Sequence, residues 1–168
     1  MKYMKKILLF LFIITMLVGC DLSTKEIARK ELKGESSRMY LGGTLQFIYA
    51  ENIGGMLSLG SRISPELRFV VFRLFVTTLL VLMFFYLVLK PGMGKLRTLA
   101  FVLILSGGIG NLVNRYMNDG KVIDFIVLEL FGMHTGIFNF ADIYVTIGIS
   151  YLLLSTLIKR HSAGTPES

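Results

Sequence analysis

The chain has 168 residues, is 54% hydrophobic and 17% charged, and has a mean hydropathy of +0.67. That composition excludes an ordinary water-exposed domain and points to a small integral membrane protein, with length for the single domain 1–168. The formal charge of +7 does not indicate nucleic acid, because Lys and Arg gather at the ends of apolar runs, where topology alone requires them.

Four apolar runs follow in chain order: 7–20, 74–89, 98–113 and 137–158, the last interrupted only by Asp142. Their charge-free cores fall short of the roughly 20 residues of a typical span. Interfacial residues must therefore complete the spans, placed at about 4–21, 67–89, 96–113 and 138–158. The expected fold is an all-α membrane protein of four transmembrane helices, with a small extracytoplasmic β-cradle and a short amphipathic helix.

The outer loop 22–64 carries its own order. Ser23-Thr24-Lys25-Glu26 has capping-box spacing and predicts a short helix through Leu32. Residues 44–49 alternate at period two, a strand pattern, and 56–59 can return as its partner after Asn52-Ile53-Gly54-Gly55. Ser64, Pro65 and Glu66 form a start for the second span. Lys90-Pro91-Gly92 stops it, because Pro91 cannot continue the ladder. Arg73 is placed to snorkel outward to the interface. A second outer loop is expected at 114–137, and the polar tail 162–168 reads as disordered.

Charge sets the orientation. Lys2, Lys5 and Lys6, then Lys90, Lys95 and Arg97, then Lys159 and Arg160 fall on one side of a four-span chain, which makes that side cytoplasmic. Both termini are then inside, and Asp124 and Asp142 lie toward the outer face.

Those two aspartates are the candidate catalytic residues. Carboxylates at bilayer depth are expensive and mark function by default. Two close carboxylates cannot both ionise cheaply, so one keeps a proton while the other serves as base. The ionised member can deprotonate water and the protonated one can donate to a carbonyl. This is aspartic-peptidase chemistry, and it needs no cofactor. Separate capping or salt-bridging roles for the two remain open at this point. Asn111, Asn114, Arg115 and Asn139 crowd the same helix ends, and Asn111 and Arg115, four apart, share a face. Gly107, Gly108 and Gly110 would admit a close helix or a substrate backbone. Cys20 is the only cysteine and His134 and His161 are isolated, so no disulfide and no metal set is expected.

Asn111-Leu112-Val113-Asn114-Arg115, Val122-Ile123-Asp124-Phe125 and Phe138-Asn139-Phe140-Ala141-Asp142 resemble the lipoprotein signal peptidase (signal peptidase II) family. Asp21-Leu22-Ser23-Thr24-Lys25 and Asn52-Ile53-Gly54-Gly55 resemble further family blocks in the right order, so the resemblance spans nearly the whole chain. It implies a peptidase of the bacterial cytoplasmic membrane, working at the extracytoplasmic face as a monomer among membrane lipids. The implied substrates are diacylglyceryl prolipoproteins, cut before the lipidated cysteine. By motif, Asp124 and Asp142 are the dyad. Asn52, Gly54, Asn111, Arg115 and Asn139 match positions that hold substrate or dyad geometry, while Asp21 and Lys25 match positions of structural or substrate-contacting role.

The chain departs from the family pattern at several positions. Asn114 stands where Asp is usual, removing a charge from the outer mouth; Leu22 replaces Gln; Met56-Leu57 replace Ala-Phe; and Ile143 follows Asp142 in place of a small polar residue. Three other readings stay open: a lipoprotein cut at its own lipobox-like Leu17-Val18-Gly19-Cys20, a homologue that only binds prolipoprotein or inhibitor, and a proton-coupled carrier.

Overall fold

The computed structural model describes residues 2–55, 59–90 and 92–163. Helix α1 (Lys2–Leu32) is followed by strands β1 (Arg38–Tyr40) and β2 (Leu45–Asn52), then helices α2 (Pro65–Leu89) and α3 (Lys95–Met117). Strands β3 (Val122–Leu130) and β4 (Met133–His134) precede α4 (Phe140–Ala163). Among the described residues, four helices are long and apolar enough to cross a membrane. Their outer surfaces carry exposed Leu8, Phe12, Leu79, Leu82, Leu153 and Leu157, an apolar coat that fits lipid and would be a liability in water.

Helix α3 packs against each of the other three helices. Small residues make this possible at the most crowded crossings. A Cβ on Gly107 would strike the Ala141 carbonyl, and one on Gly110 would meet the Asp21 carboxylate, so these glycines serve helix packing rather than substrate approach. The apolar core of the bundle is built from Phe10, Ile14, Leu80, Leu87, Val102 and Leu105.

At 31 residues, α1 is about 46 Å long and outruns the roughly 30 Å hydrocarbon core. The helical segment expected after Ser23 is present as its last turns. Thr24 Oγ1 bonds back to the Cys20 and Asp21 carbonyls, so it continues the helix rather than starting one. Ala28 and Leu32 then carry the apolar stripe beyond the bilayer, where Ile123, Phe125 and Ile126 cover it.

Those covering residues belong to an antiparallel sheet of order β1-β2-β3-β4. The strand predicted at 44–49 is the core of β2, paired with β1 and β3. The return strand expected at 56–59 falls largely outside the described residues, and Leu59 sits in a turn. The expected outer loop 114–137 is structured: α3 runs on to Met117, and β3 and β4 follow. The tail beyond residue 163 lies outside the described residues, while 162 and 163 are still helical.

Helix α2 starts as its sequence predicts, with Ser64 Oγ accepting from the Leu67 N–H and Pro65 in the first turn. It ends at Leu89, with Lys90 extended (φ −81°, ψ 112°) as a residue before proline must be. Between Val70 and Phe75 it takes a π-helical turn. Such turns shift the side-chain register and recur at functional sites.

Candidate active site

The two candidate aspartates converge where α4 begins. Asn139 precedes the first turn and its Oδ1 accepts from the Asp142 N–H (3.0 Å), while Asp142 Oδ2 accepts from the Asn139 N–H (3.2 Å). This reciprocal box satisfies two of the orphan donors at the helix start. It also puts a carboxylate at a helix N-terminus, where the backbone dipole favours negative charge. Asp142 Oδ1 accepts from Asn111 Nδ2 on α3 (2.9 Å).

Asp124 reaches the same point from β3. The β2–β3 register slips between Phe47 and Ala50, just where Ala50 faces Asp124. The N–H groups of Phe125 and Ile126 both turn to the Phe138 carbonyl. A bulge of this kind re-aims a strand side chain. Asp124 is 3% exposed; its Oδ1 accepts from Asn139 Nδ2 (2.6 Å) and its Oδ2 from Asn52 Nδ2 (2.9 Å). Burial pushes its carboxyl up to about 6, opposed by the Asn52 amide; the Asp142 charge adds to the rise and the Asn139 amide opposes it. One residue, Asn139, thus holds both aspartates, donating to Asp124 while its box with Asp142 fixes the helix start.

The remaining sequence-predicted residues join a continuous network around the pair. Buried Lys25 donates to Asp21 Oδ2 (2.6 Å) and to Asn111 Oδ1 (2.7 Å). That second bond decides which end of the Asn111 amide points to Asp142. Asp21 Oδ1 caps the Ala141 N–H (2.9 Å), another orphan donor of α4. On the other side, Asn52 Oδ1 accepts from the Gly54 N–H (2.9 Å) and the Gly54 carbonyl accepts from Arg115 (2.6 Å). Arg115 closes the circuit on the Asn111 carbonyl (3.4 Å).

Three features escaped the sequence reading. Asn114 is 5% exposed rather than at an open mouth, and its Oδ1 accepts from the Ile123 N–H (2.7 Å), fastening β3 to α3 one residue before Asp124. Arg73 reaches toward the outer helix ends but is not a free anchor: it donates to the Arg115 carbonyl (3.1 Å) and lies near the Phe69 and Tyr116 rings. Phe72, beside it in the π-turn, backs the Arg115 guanidinium at 5.3 Å. Helical periodicity mis-aims side chains in a π-turn, and no pattern in sequence shows that an amide is buried.

A cavity of about 520 Å³ opens beside Asp142, walled by Leu128, Ile137, Phe138, Ile143, Thr146 and Ile147. Its apolar lining suits hydrocarbon or an apolar peptide next to a carboxyl group. Among the described residues no group of three or more His, Cys, Asp or Glu side chains gathers as a metal set.

The model of the family described as Signal peptidase (SPase) II matches residues 13–158. The chain belongs to the signal peptidase II family. Members similar to it include the lipoprotein signal peptidase of Borrelia turicatae (strain 91E135), 31% identical over 159 residues that cover 92% of each chain. That of Chlorobium phaeobacteroides is 35% identical over 163 residues, covering 91% of this chain and 94% of its own. A bacterial membrane enzyme solved by the in meso method at 2.3 Å shares the fold with a TM-score of 0.76 at 24% identity, over 95% of this chain and 93% of its own. A second, at 1.9 Å, gives 0.75 at 26% identity, over 88% and 92%. Family membership makes this four-helix membrane protein a peptidase.

Proposed function

We propose that the chain removes signal peptides from prolipoproteins as an aspartic endopeptidase, cutting before the diacylglyceryl-modified cysteine. The observation that carries the aspartic mechanism is the Asn139 bridge at the head of α4: its side-chain amide donates to the Asp124 carboxylate and its backbone N–H to the Asp142 carboxylate. In the reaction, the ionised aspartate takes a proton from water as its oxygen attacks the scissile carbonyl carbon. The protonated partner donates to the carbonyl oxygen. Collapse of the tetrahedral intermediate breaks the C–N bond, and the proton taken from water passes to the leaving amine. Burial of Asp124, which raises its carboxyl toward 6, supports a pair that shares one proton.

The seven residues around the pair receive positioning and binding roles. Asp21, Lys25 and Asn111 orient Asp142; Asn52 and Asn139 orient Asp124; Gly54 and Arg115 hold the loop that faces substrate. The apolar cavity beside Asp142 takes an apolar part of the lipopeptide. The enzyme works as a monomer in a bacterial cytoplasmic membrane, dyad outward and termini inside. Lys5 and Lys6, Lys90, Lys95 and Arg97, at the bundle end opposite the sheet, support this orientation. The uninterrupted course of α1 through Cys20, with Phe10 and Ile14 in the bundle core, supports retention of the first span rather than a cut at Cys20.

The test uses purified protein and a diacylglyceryl lipobox peptide, with products read by mass. The expected result is cleavage before the cysteine, lost separately in Asp124→Asn and Asp142→Asn. Binding without cleavage by the unmodified protein would overturn the peptidase reading in favour of a binding homologue.

A further inference from the structure

A second cleft, distinct from the cavity beside Asp142, lies between the start of α2 and the end of α3. It measures about 420 Å³ and is lined by Arg68, Arg73, Arg115 and Lys121, with Asp119 as its one carboxylate. Lys121 is already paired, donating to Glu51 at 2.7 Å. Among the described residues, none of the three arginines has a carboxylate within 4.0 Å, so three guanidinium charges face one carboxylate across the cleft. Arg115 is only 7% exposed; its Nη1 and Nη2 donate to the Asn111 and Gly54 carbonyls, and among the described residues its Nε has no hydrogen-bond partner. A buried guanidinium left short of partners is costly unless an anion completes it.

The cleft is also built to hold those charges in place. The Phe72 ring backs Arg115, and Phe69 and Tyr116 enclose Arg73. Gly120, at φ +87°, passes so close to Arg73 that an added Cβ would stand 3.1 Å from its Nη2. The location identifies the occupant. Pro65 opens one membrane helix and Met117 closes another, so the cleft lies at headgroup depth. Phe69 lines it and is itself exposed, and Val70, Leu74 and Phe75 continue an exposed apolar surface down α2. An anion seated there has hydrocarbon below it rather than water.

We propose that this cleft binds an anionic phospholipid, its phosphate between Arg68, Arg73 and Arg115 and its acyl chains along the exposed face of α2. The site does not depend on the peptidase reading, since lipid retention is measured without turnover. Planar guanidiniums pair with phosphate oxygens in a fork geometry that suits this headgroup.

The experiment is native mass spectrometry of the full chain, purified from micelles containing equal phosphatidylglycerol and phosphatidylcholine. The unmodified protein retains phosphatidylglycerol in preference. Arg68→Gln lowers that retention about fivefold, and Arg68→Gln/Arg73→Gln roughly 30-fold, from the usual contribution of each cation to anionic-lipid binding. Lys30→Gln, a charge lost from the exposed face of α1, leaves it unchanged. Among the described residues the Arg68 side chain has no carboxylate within 4.0 Å, its attraction to Glu66 is longer-range, and its backbone bond to Ser64 survives substitution, so the single variant decides if the double fails to fold. Equal retention of the two lipids, or retention unchanged by Arg68→Gln, overturns the proposal. So does displacement of the lipid by millimolar inorganic phosphate, which would assign the cleft to free anions. If Arg68→Gln instead slows cleavage of peptides with Asp after the cysteine while lipid retention stays constant, the cleft reads polypeptide and the lipid assignment falls.

Discussion

The two ends of the helix bundle are held together by different physics. At the end remote from the sheet, Phe10, Leu80, Leu87, Val102 and Leu105 interlock, and polar contacts are peripheral, such as Lys90 to the Tyr86 hydroxyl at 2.9 Å. At the dyad end, buried Asp21, Lys25, Asn114, Arg115, Asp124 and Asn139 meet in a space where apolar residues would pack at least as well. Apolar packing is non-directional and degrades gradually when an atom is removed. A buried polar network is directional, and removing one member leaves the others with unmet bonds. On the proposed mechanism, the dyad end has its stability and its function written in the same residues, while the far end contributes stability.

The sharpest way to separate the ends is to change one group at each. Asp124→Asn or Asp142→Asn is expected to lower cleavage by about 10²- to 10⁴-fold, the range of a positioned acid or base. The double variant should be little worse than either single, because the pair acts as a unit. Leu87→Ala at the far end should destabilise by about 2–5 kcal/mol while the surviving folded protein keeps its turnover. Thermal denaturation and initial rates on the same samples check both. Equal loss of activity and stability at the two ends would erase the distinction.

Next in size comes the Asp21–Lys25 pair, buried at 0% and 1% exposure. Asp21→Asn leaves Lys25 without its counter-ion and is expected to cost about 3–5 kcal/mol. The double variant Asp21→Leu/Lys25→Met should recover only part of that stability, since it removes the uncompensated charge but leaves the Ala141 N–H and Asn111 Oδ1 without these partners. It should not recover turnover, because Asn111 has lost the lysine that orients its amide toward Asp142. Recovery of both would make the pair a stability element with no part in positioning.

A smaller effect lies in the pH profile. The alkaline limb of cleavage marks loss of the pair's last shared proton, and Asp124 stands at about 6. The Asn52 amide donates to Asp124 and favours its ionised form. Asn52→Ala removes that donor, so the proton is held more tightly and the limb moves to higher pH. A limb that stays in place, or moves to lower pH, would show that Asn52 acts on the loop 52–55 and not on the carboxyl.

How much of this was open to inspection in the sequence depended on the kind of force involved. The four apolar helices were legible from composition, and Asp124 and Asp142, which both bond to Asn139, stood out as candidates because lipid penalises charge so heavily. The start of α2 was legible because capping chemistry is local. Strand β3 was not. Its residues from Val122 to Val127 are buried on both faces, so the alternation that reveals a half-exposed strand is missing. The bond from Arg73 to the Arg115 carbonyl was hidden by the π-turn, and the circuit from Asp21 to Arg115 by chain separations that no local pattern spans.

The finest test falls on Asn114, where the family pattern has Asp. An open position at the site mouth would make the missing charge a change in substrate choice. Its burial and its bond to the Ile123 N–H make it a latch between α3 and the strand that carries Asp124. A carboxylate oxygen accepts that bond as well as an amide oxygen does. Asn114→Asp should therefore keep the latch, at the cost of burying a charge beside Asp124, and leave the ranking of lipobox peptides unaltered. The added charge beside Asp124 should hold the dyad proton slightly longer and nudge the alkaline limb upward. Asn114→Leu has similar bulk but no acceptor. It strands the Ile123 N–H in a buried site at about 1–3 kcal/mol, and shifts β3 enough to slow cleavage of every peptide alike. If Asn114→Asp instead reorders the peptide preferences, the residue touches substrate and the latch is not its main role.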